Sequence, residues 1–558
     1  MAGDDTGLTL KACRRLTSGD VVAVARAGRP VALDPGTAQM LDARRAEIVA
    51  HVAATQAPAY GFNRGFGHNV KLAVSPEDAA LLQRNLILSH ASGMGEHAGD
   101  DVVRATMLLR AQSLAQGHSG VRSLVVRTLI DCLNAGVTPF VPKLGSVSAS
   151  GDLAPLSHIA LTLIGEGDAF HKGARMKARD ALGKAGIAPL VLDMKEGLAL
   201  NNGVQFATAI GILAEDALRL ALKTHCVTAA CAAQVMLGTD AAFRADLHAL
   251  RPHRGSQAVA RAIFALMAES PIREAHRGFD TDHEIQDPYN LRCAAQILGA
   301  PHELLARACA TFETEANSVT DNPILLPLTD GAKAGQHIDI VSGGHFHGMP
   351  IAIDAYGLIQ AASIMAQLTN TRAMRYVDGA RNKGLGADLK WPGPTDDPAR
   401  RAKQAVSSAL MIPEYASAGI ANWIWGLAMP SHLFSIPTDA GQEDHVSMAS
   451  NAAFRALDAA ARVFDALAIE FVFLSQAAAI RMESGVIPRA DGGTPLTLAP
   501  SQRRLSATCD AVITAARVHF PIVTEDRYMA DELATLARWV RSGEAATLAE
   551  ASGAFSGF

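Results

Sequence analysis

Between Gly203 and about Ala241 the pattern is that of one long helix, apolar on nearly every face. A helix that is hydrophobic all round belongs inside a large assembly, so this stretch predicts one long buried helix. Similar patterning predicts long helices at about 300–317, 348–375, 405–428 and 441–482. Nearer the start it predicts a helix over 40–58 and two helices across 76–135, split at Gly93-Met94-Gly95. Gly- and Pro-rich loops fall at 286–293, 321–328, 342–350, 384–395 and 435–443, and a Gly-rich loop runs over 60–70. Residues 383–400 are the most irregular, and the first forty residues form a small lead-in. The expected fold is mainly α. A loop-rich N-terminal domain covers 1–200, an elongated central long-helix bundle covers 201–485, and a helical C-terminal extension covers 486–558. Chemistry is then expected on loops at helix ends, where binding residues concentrate. Apolar helices in such a bundle favour subunit pairing, which predicts a homo-oligomer.

Composition agrees with helix. The chain has 558 residues, 49% of them hydrophobic and only 5% aromatic, with abundant Ala and Leu, which suits helix better than sheet. The net charge of −5 argues against a nucleic-acid partner. The densest basic cluster, Arg400-Arg401-Ala402-Lys403, reads as a solvated helix face. Seven cysteines lie scattered with no CxxC pair, so no metal site is expected and a reducing, cytoplasmic setting is. No secretory leader is expected at the N-terminus. The nearest approach to a membrane span, Thr224 to Thr239, is short, Ala-rich and flanked by Lys223 and Asp240, so a bundle helix is the better reading.

The chemistry centres on Gly145-Ser146-Val147-Ser148-Ala149-Ser150-Gly151-Asp152-Leu153-Ala154-Pro155-Leu156-Ser157-His158. Gly151 has no side chain, so its nitrogen can approach the Ala149 carbonyl closely. Ring closure there, with loss of water from Ser150, leaves a five-membered ring bearing an exocyclic methylene. That group, methylidene-imidazolone, is an electrophile made from backbone; electron-sink chemistry otherwise needs an imported cofactor. Taken alone, Ala149-Ser150-Gly151 reads first as a loop before a helix, with Ser150 or Asp152 as N-cap and Pro155 in the first turn; the longer context reverses that reading.

The fourteen-residue context resembles the signature of the aromatic amino acid ammonia-lyases and aminomutases, and most of all their histidine-specific members. The resemblance spans roughly residues 40 to 485. It implies a lyase-type homotetramer with active sites shared between subunits, an amino acid substrate and no external cofactor. Tyr60, in Tyr-Gly-x-Asn-x-Gly-Phe-Gly, matches the family's catalytic tyrosine, a phenol acting as base. Asn202, in Ala199-Leu200-Asn201-Asn202-Gly203, matches the asparagine that donates to the electrophile's oxygen. Gln286, Tyr289 and Arg292 share Gln286-Asp287-Pro288-Tyr289-Asn290-Leu291-Arg292. Arg292 matches the carboxylate-binding arginine, and Tyr289 a second active-site phenol. Phe346 matches an aromatic beside the electrophile, and Glu443, in Gln442-Glu443-Asp444-His445, the acid near the substrate ring. Ser89-His90 and Glu443-Asp444-His445 both resemble the histidine enzymes. His90 and Glu443 would bracket an imidazole, one ring nitrogen donating to the carboxylate and the other accepting. An unpaired Glu443 against a phenyl ring would cost several kcal/mol, to order of magnitude. The expected reaction is elimination of ammonia from L-histidine to give urocanate.

Three features depart from the family pattern. Arg64 stands where Thr is usual, beside the expected base. His345 replaces the usual Asn. Lys390-Trp391-Pro392-Gly393, with Trp423 and Trp425, differs from a typical histidine enzyme. A lysine can serve as acid or base, and tryptophan can hold a quaternary ammonium. These residues keep open a lyase on a modified histidine such as ergothioneine, releasing trimethylamine without the electrophile. An aminomutase is a further alternative within the fold. A catalytically silent scaffold is a fourth, but it would have no reason to keep Tyr60, Arg292 and Glu443.

Overall fold

The structure is a computed structural model. It describes residues 7–55, 59–64, 71–75, 77–278, 286–327, 338–392, 402, 404–489 and 492–558. Helices hold 61% of the chain, which makes the fold mainly α. The long helices lie where the patterning places them: Pro35–Thr55, Gln205–Val235, Ala294–Ala316, Met349–Val377, Met411–Leu427 and Ala449–Ser484. Helix 40–58 starts earlier than its pattern suggests, and residues 56–58 lie outside the described ones. The last long helix begins at Ala449, not 441, because Asp439, Ala440, Gly441 and Met448 all take positive φ. The stretch 76–135 forms three helices rather than two: Ala79–His90, Asp100–Ala115 and Ser123–Ala135. Short strands went unread in the patterning. The lead-in is a strand–helix–strand in which Leu8–Leu10 pairs in parallel with Val31–Leu33.

Two compact units emerge. One comprises 1–216, 308–356 and 430–457; the other comprises 217–307, 357–429 and 458–558. They do not follow the consecutive division at 200 and 485. The helices Gln205–Val235, Ala294–Ala316, Met349–Val377 and Ala449–Ser484 each place residues in both. A helix of about 30 residues is roughly 45 Å long, so it outruns a single compact core.

In the first unit, helices Ala79–His90, Leu153–Leu163 and Glu196–Asn201 pack on one another. The strand Met94–His97 pairs antiparallel with Pro142–Leu144, Met94 opposite Leu144. That pairing delivers the chain into Gly145 beside the end of the Ala79–His90 helix. In the second unit, helices Ala507–His519, Ala530–Ser542 and Glu544–Glu550 pack together. There a fully buried ion pair joins Arg372 to Glu470 at 2.8 Å.

Among the described residues, two helices reach the length and apolarity of a membrane span, contrary to the sequence expectation: Met349–Val377 and Ala449–Ser484. The apolar window of the second is 94% buried within the protein. Its hydrophobic surface is therefore already covered by protein, as a bundle-core helix requires.

Candidate active site

The loop from Gly145 to Asp152 is pinned from three sides. Asp152 stands at the N-cap of helix Leu153–Leu163 but makes no side-chain cap. Its buried carboxylate instead accepts from the hydroxyls of Ser146 (2.8 Å), Ser148 (2.8 Å) and Ser450 (2.6 Å), and from the Ala207 N–H (2.9 Å). Burial raises its carboxyl above the ordinary aspartate value, and these bonds oppose the rise. The Ser148 carbonyl accepts from the Ser447 hydroxyl at 2.8 Å and the Gly348 N–H at 3.2 Å. Met448 N–H donates to the Val147 carbonyl at 3.0 Å. Ser148 itself is fully buried with φ 50°; a strained non-glycine residue of this kind persists only where its surroundings fix it.

Gly151 is the narrowest point. Its φ is +81°, and it bridges in parallel to Gly203. A Cβ here would run into the Gly203 backbone, so only glycine fits. Asp152 N–H donates to the Gly203 carbonyl at 2.7 Å. One residue back, the Asn202 side-chain amide donates to the Ser150 carbonyl at 3.2 Å. In the ring expected from Ala149-Ser150-Gly151, that oxygen is the ring carbonyl oxygen. Glycine at the crowded position, serine between, and an amide donor on the right oxygen all fit a methylidene-imidazolone.

Beside Gly203 lies Arg110, fully buried on helix Asp100–Ala115. Its Nη1 donates to the Asn202 carbonyl at 2.6 Å and to Gln205 Oε1 at 3.0 Å. Its Nε and Nη2 meet no partner among the described residues. Burial pushes its guanidinium down to about 10.

At the end of helix Ala79–His90, Ser89 and His90 form a pair. The Ser89 hydroxyl donates to the Leu86 carbonyl at 3.1 Å and lies 2.9 Å from His90 Nδ1. The Ser89 hydroxyl thus sits between the Leu86 carbonyl and His90 Nδ1 and ties the imidazole to the end of the helix. Burial lowers the His90 pKa, against the raising effect of the Leu86 carbonyl, Asp439 and Glu443. Glu443 therefore lies close enough to act on His90. It is held by the Thr438 hydroxyl, which donates to Oε2 at 2.6 Å, and by paired backbone hydrogen bonds between the same two residues. Phe346 is half-buried in the loop that Gly348 ties to Ser148. Its neighbour His347 donates from Nε2 to the His445 carbonyl at 3.0 Å. The loop holding Phe346 and the segment holding Glu443 are thus both fastened to the electrophile loop.

Tyr60 opens a turn stapled to the same helices. The Gly61 carbonyl accepts from Gln83 Nε2 at 3.1 Å, and Gln83 Oε1 accepts from Leu198 N–H at 3.1 Å. Gly61 has φ +77°, and a Cβ there would press on Leu198 and Lys195. Arg64 bridges to Tyr60 and Ala73 through its backbone, while its Nη1 donates to the Lys71 carbonyl at 3.1 Å. It therefore helps close its own loop. Residues 65–70 of the Gly-rich loop lie outside the described ones.

The second unit gathers Gln286, Tyr289 and Arg292. Arg292 Nε donates to the Asp287 carbonyl at 2.8 Å and Nη2 to Gln286 Oε1 at 2.7 Å, and the guanidinium sits 4.7 Å from the Tyr289 ring centroid. The Tyr289 residue is 68% exposed in the single chain. Lys390 belongs to a different place in this unit, a cavity of about 300 Å³ lined also by Trp391, Gln404 and Asp526. Its Nζ donates to the Gln404 carbonyl at 3.3 Å. Trp423 and Trp425 are exposed, and the Trp423 indole N–H donates to Asp458 at 3.2 Å. Among the described residues, the cavity beside Lys390 is lined by Trp391 and not by Trp423 or Trp425.

Sequence reasoning missed Arg110, Asp152 as anchor, and Ser450. Asp152 had a local cue in Ser146-x-Ser148, four and six residues before it. Ser450 lies 298 residues away in the chain, and no local pattern joins the two.

The fold and the backbone electrophile segment together define a helical carbon–nitrogen lyase. Residues 16–503 match the Aromatic amino acid lyase family, and the chain belongs to it. Its structure is similar to that of histidine ammonia-lyase from Trypanosoma cruzi, with TM-score 0.81, 29% identity, and coverage of 98% of this chain and 96% of that one. It is also similar to tyrosine aminomutase from Streptomyces globisporus, with TM-score 0.84, 28% identity, and coverage of 98% and 99%. The fold is shared with ergothionase from Treponema denticola, at TM-score 0.82 and 23% identity, with coverage of 97% and 99%.

Proposed function

We propose that the chain eliminates ammonia from L-histidine to give urocanate, using a methylidene-imidazolone formed from Ala149, Ser150 and Gly151. The observation that carries this reading is the Asn202 amide on the Ser150 carbonyl, beside a Gly151 that admits no Cβ. The ring, once formed, accepts the substrate amine and turns nitrogen into a leaving group. Asn202 holds its carbonyl oxygen. Tyr60 takes the β-proton. Arg292 receives the carboxylate through the N–H groups that Gln286 and Asp287 leave over, with Tyr289 beside it. His90 and Glu443 favour a ring that donates to the Glu443 carboxylate from one nitrogen and accepts from His90 at the other. Imidazole does so; phenyl does not. Phe346 flanks the ring. The exposure of Tyr289 in the single chain suits a homotetramer whose neighbouring chains supply Tyr60, Tyr289 and Phe346 to a common site. We place the enzyme in the cytoplasm.

The test is a spectrophotometric panel of histidine, phenylalanine, tyrosine and ergothioneine. Urocanate formation from histidine alone supports the proposal; turnover of another member in its place contradicts it. Similarity to tyrosine aminomutase favours one second reading, an aminomutase, which would show as a β-amino acid among the products. Within one chain, Arg64 donates to the Lys71 carbonyl and Lys390 to the Gln404 carbonyl, and neither contact favours an ergothioneine lyase.

A further inference from the structure

The buried face behind the electrophile carries more positive charge than its nearest acid neutralises. Arg110 donates to the Asn202 carbonyl and to Gln205, both uncharged. The acid near enough to act on it, Asp321, is ion-paired with Lys195 at 2.7 Å, and both members of that pair are fully buried. Two of the three guanidinium nitrogens have no partner among the described residues. A buried cation left without its own counter-ion is costly, and its field acts on whatever lies beside it.

The geometry shows where that field falls. The guanidinium packs against Gly203, since a Cβ on that residue would meet Arg110 Nη1 at 2.5 Å. Gly203 bridges to Gly151, and the residue before it, Asn202, donates to the Ser150 carbonyl. We propose that Arg110 is a positioning residue for the electrophile: acting through Asn202, its unneutralised charge favours electron density on the Ser150 carbonyl oxygen.

This rests on ring formation as read above. When a nucleophile bonds to the former Ser150 Cβ, the carbon–carbon double-bond pair moves into the carbonyl and negative charge gathers on its oxygen, until a solvent proton restores neutrality. A donor fixed in advance at such an oxygen is worth most where water is excluded. Arg110 holds that donor by its peptide carbonyl and adds a whole positive charge behind it.

The test uses borohydride as the nucleophile, so that no amino acid substrate is involved. Its hydride adds to the Ser150 carbon, a proton follows from water, and the protein gains two hydrogens, read by intact mass. Wild-type protein must first weigh two waters less than its sequence; if it does not, the electrophile reading fails whatever Arg110 does. Trapping rates are then compared within the dehydrated fraction. Gln205→Glu places a carboxylate where Gln205 Oε1 already accepts from Arg110 at 3.0 Å and neutralises the charge with little change of shape. Gln205→Met removes the contact and leaves the charge. We expect Gln205→Glu and Arg110→Met to be trapped about tenfold more slowly, less than the loss of a direct donor would cost. Gln205→Met should react at the wild-type rate. If Arg110→Met does not fold, Gln205→Glu decides. Trapping of Gln205→Glu at the wild-type rate, or equal slowing in Gln205→Met, overturns the proposal.

Discussion

The Asn202 amide nitrogen lies 3.2 Å from the Ser150 carbonyl oxygen, although the two residues sit in different loops. The contact holds because Gly151 and Gly203 bridge with no space for a side chain on Gly151, and because Asp152 N–H clasps the Gly203 carbonyl. Asn202→Ala should keep the fold and lower kcat for histidine about 10²–10³-fold, the usual cost of losing one such donor. Steady-state kinetics beside a melting curve checks this; unchanged kcat would detach Asn202 from the chemistry.

His90 and Glu443 are expected to read the ring. His90→Leu and Glu443→Gln should each lower kcat/KM for histidine about 10–100-fold, as a polar group of the substrate loses its partner. Tm should move little, since His90 and Glu443 both lie at the ends of loops or helices. A variant that handled histidine as well as the wild type would remove that residue from recognition.

Arg292 has already committed Nε and one Nη2 proton to Asp287 and Gln286. A carboxylate can then bind only at the remaining guanidinium edge. Arg292→Lys loses the two-pronged geometry, so it should raise KM nearly as much as Arg292→Ala, about tenfold or more. A lysine variant with wild-type KM would mean that charge alone suffices.

His225 gives the fold an acid sensitivity. It is fully buried, neither ring nitrogen has a partner among the described residues, and burial pulls its pKa from 6.5 to about 3. An unfolded chain therefore binds a proton at His225 between about pH 6.5 and 3 that the folded chain refuses. The stability this group contributes is whole above pH 6.5 and drains away as pH falls through that window. Tm measured from pH 7 to 4 should fall less steeply in His225→Gln than in wild type. Parallel profiles would contradict this.

Much of the molecule can be read in its sequence, for reasons particular to each part. The helices Gln205–Val235 and Ala449–Ser484 carry long apolar runs, and such stretches have few other ways to satisfy their backbone. Ala149-Ser150-Gly151 is legible because its chemistry is local to three residues. The strands are not legible, because Met94–His97 and Pro142–Leu144 are too short to show alternation and are held together by their register with each other. Arg110 is hidden for the opposite reason. It looks like one polar position on a helix face, yet residues 102, 103 and 105–115 of its helix are all buried. Asp152 reads as an ordinary helix cap, and only the fold brings Ser450 to it. Tyr60 and Arg292 are recognisable by motif, but a motif does not show which chain supplies each to a common site.

The most direct measurement is the mass of the peptide that carries Ala149 through Gly151, taken from protein that converts histidine to urocanate. The peptide should be lighter than its sequence by two water molecules, and Ser150→Ala should abolish both the deficit and the turnover. A full-weight peptide from an enzyme still turning over histidine would contradict the account.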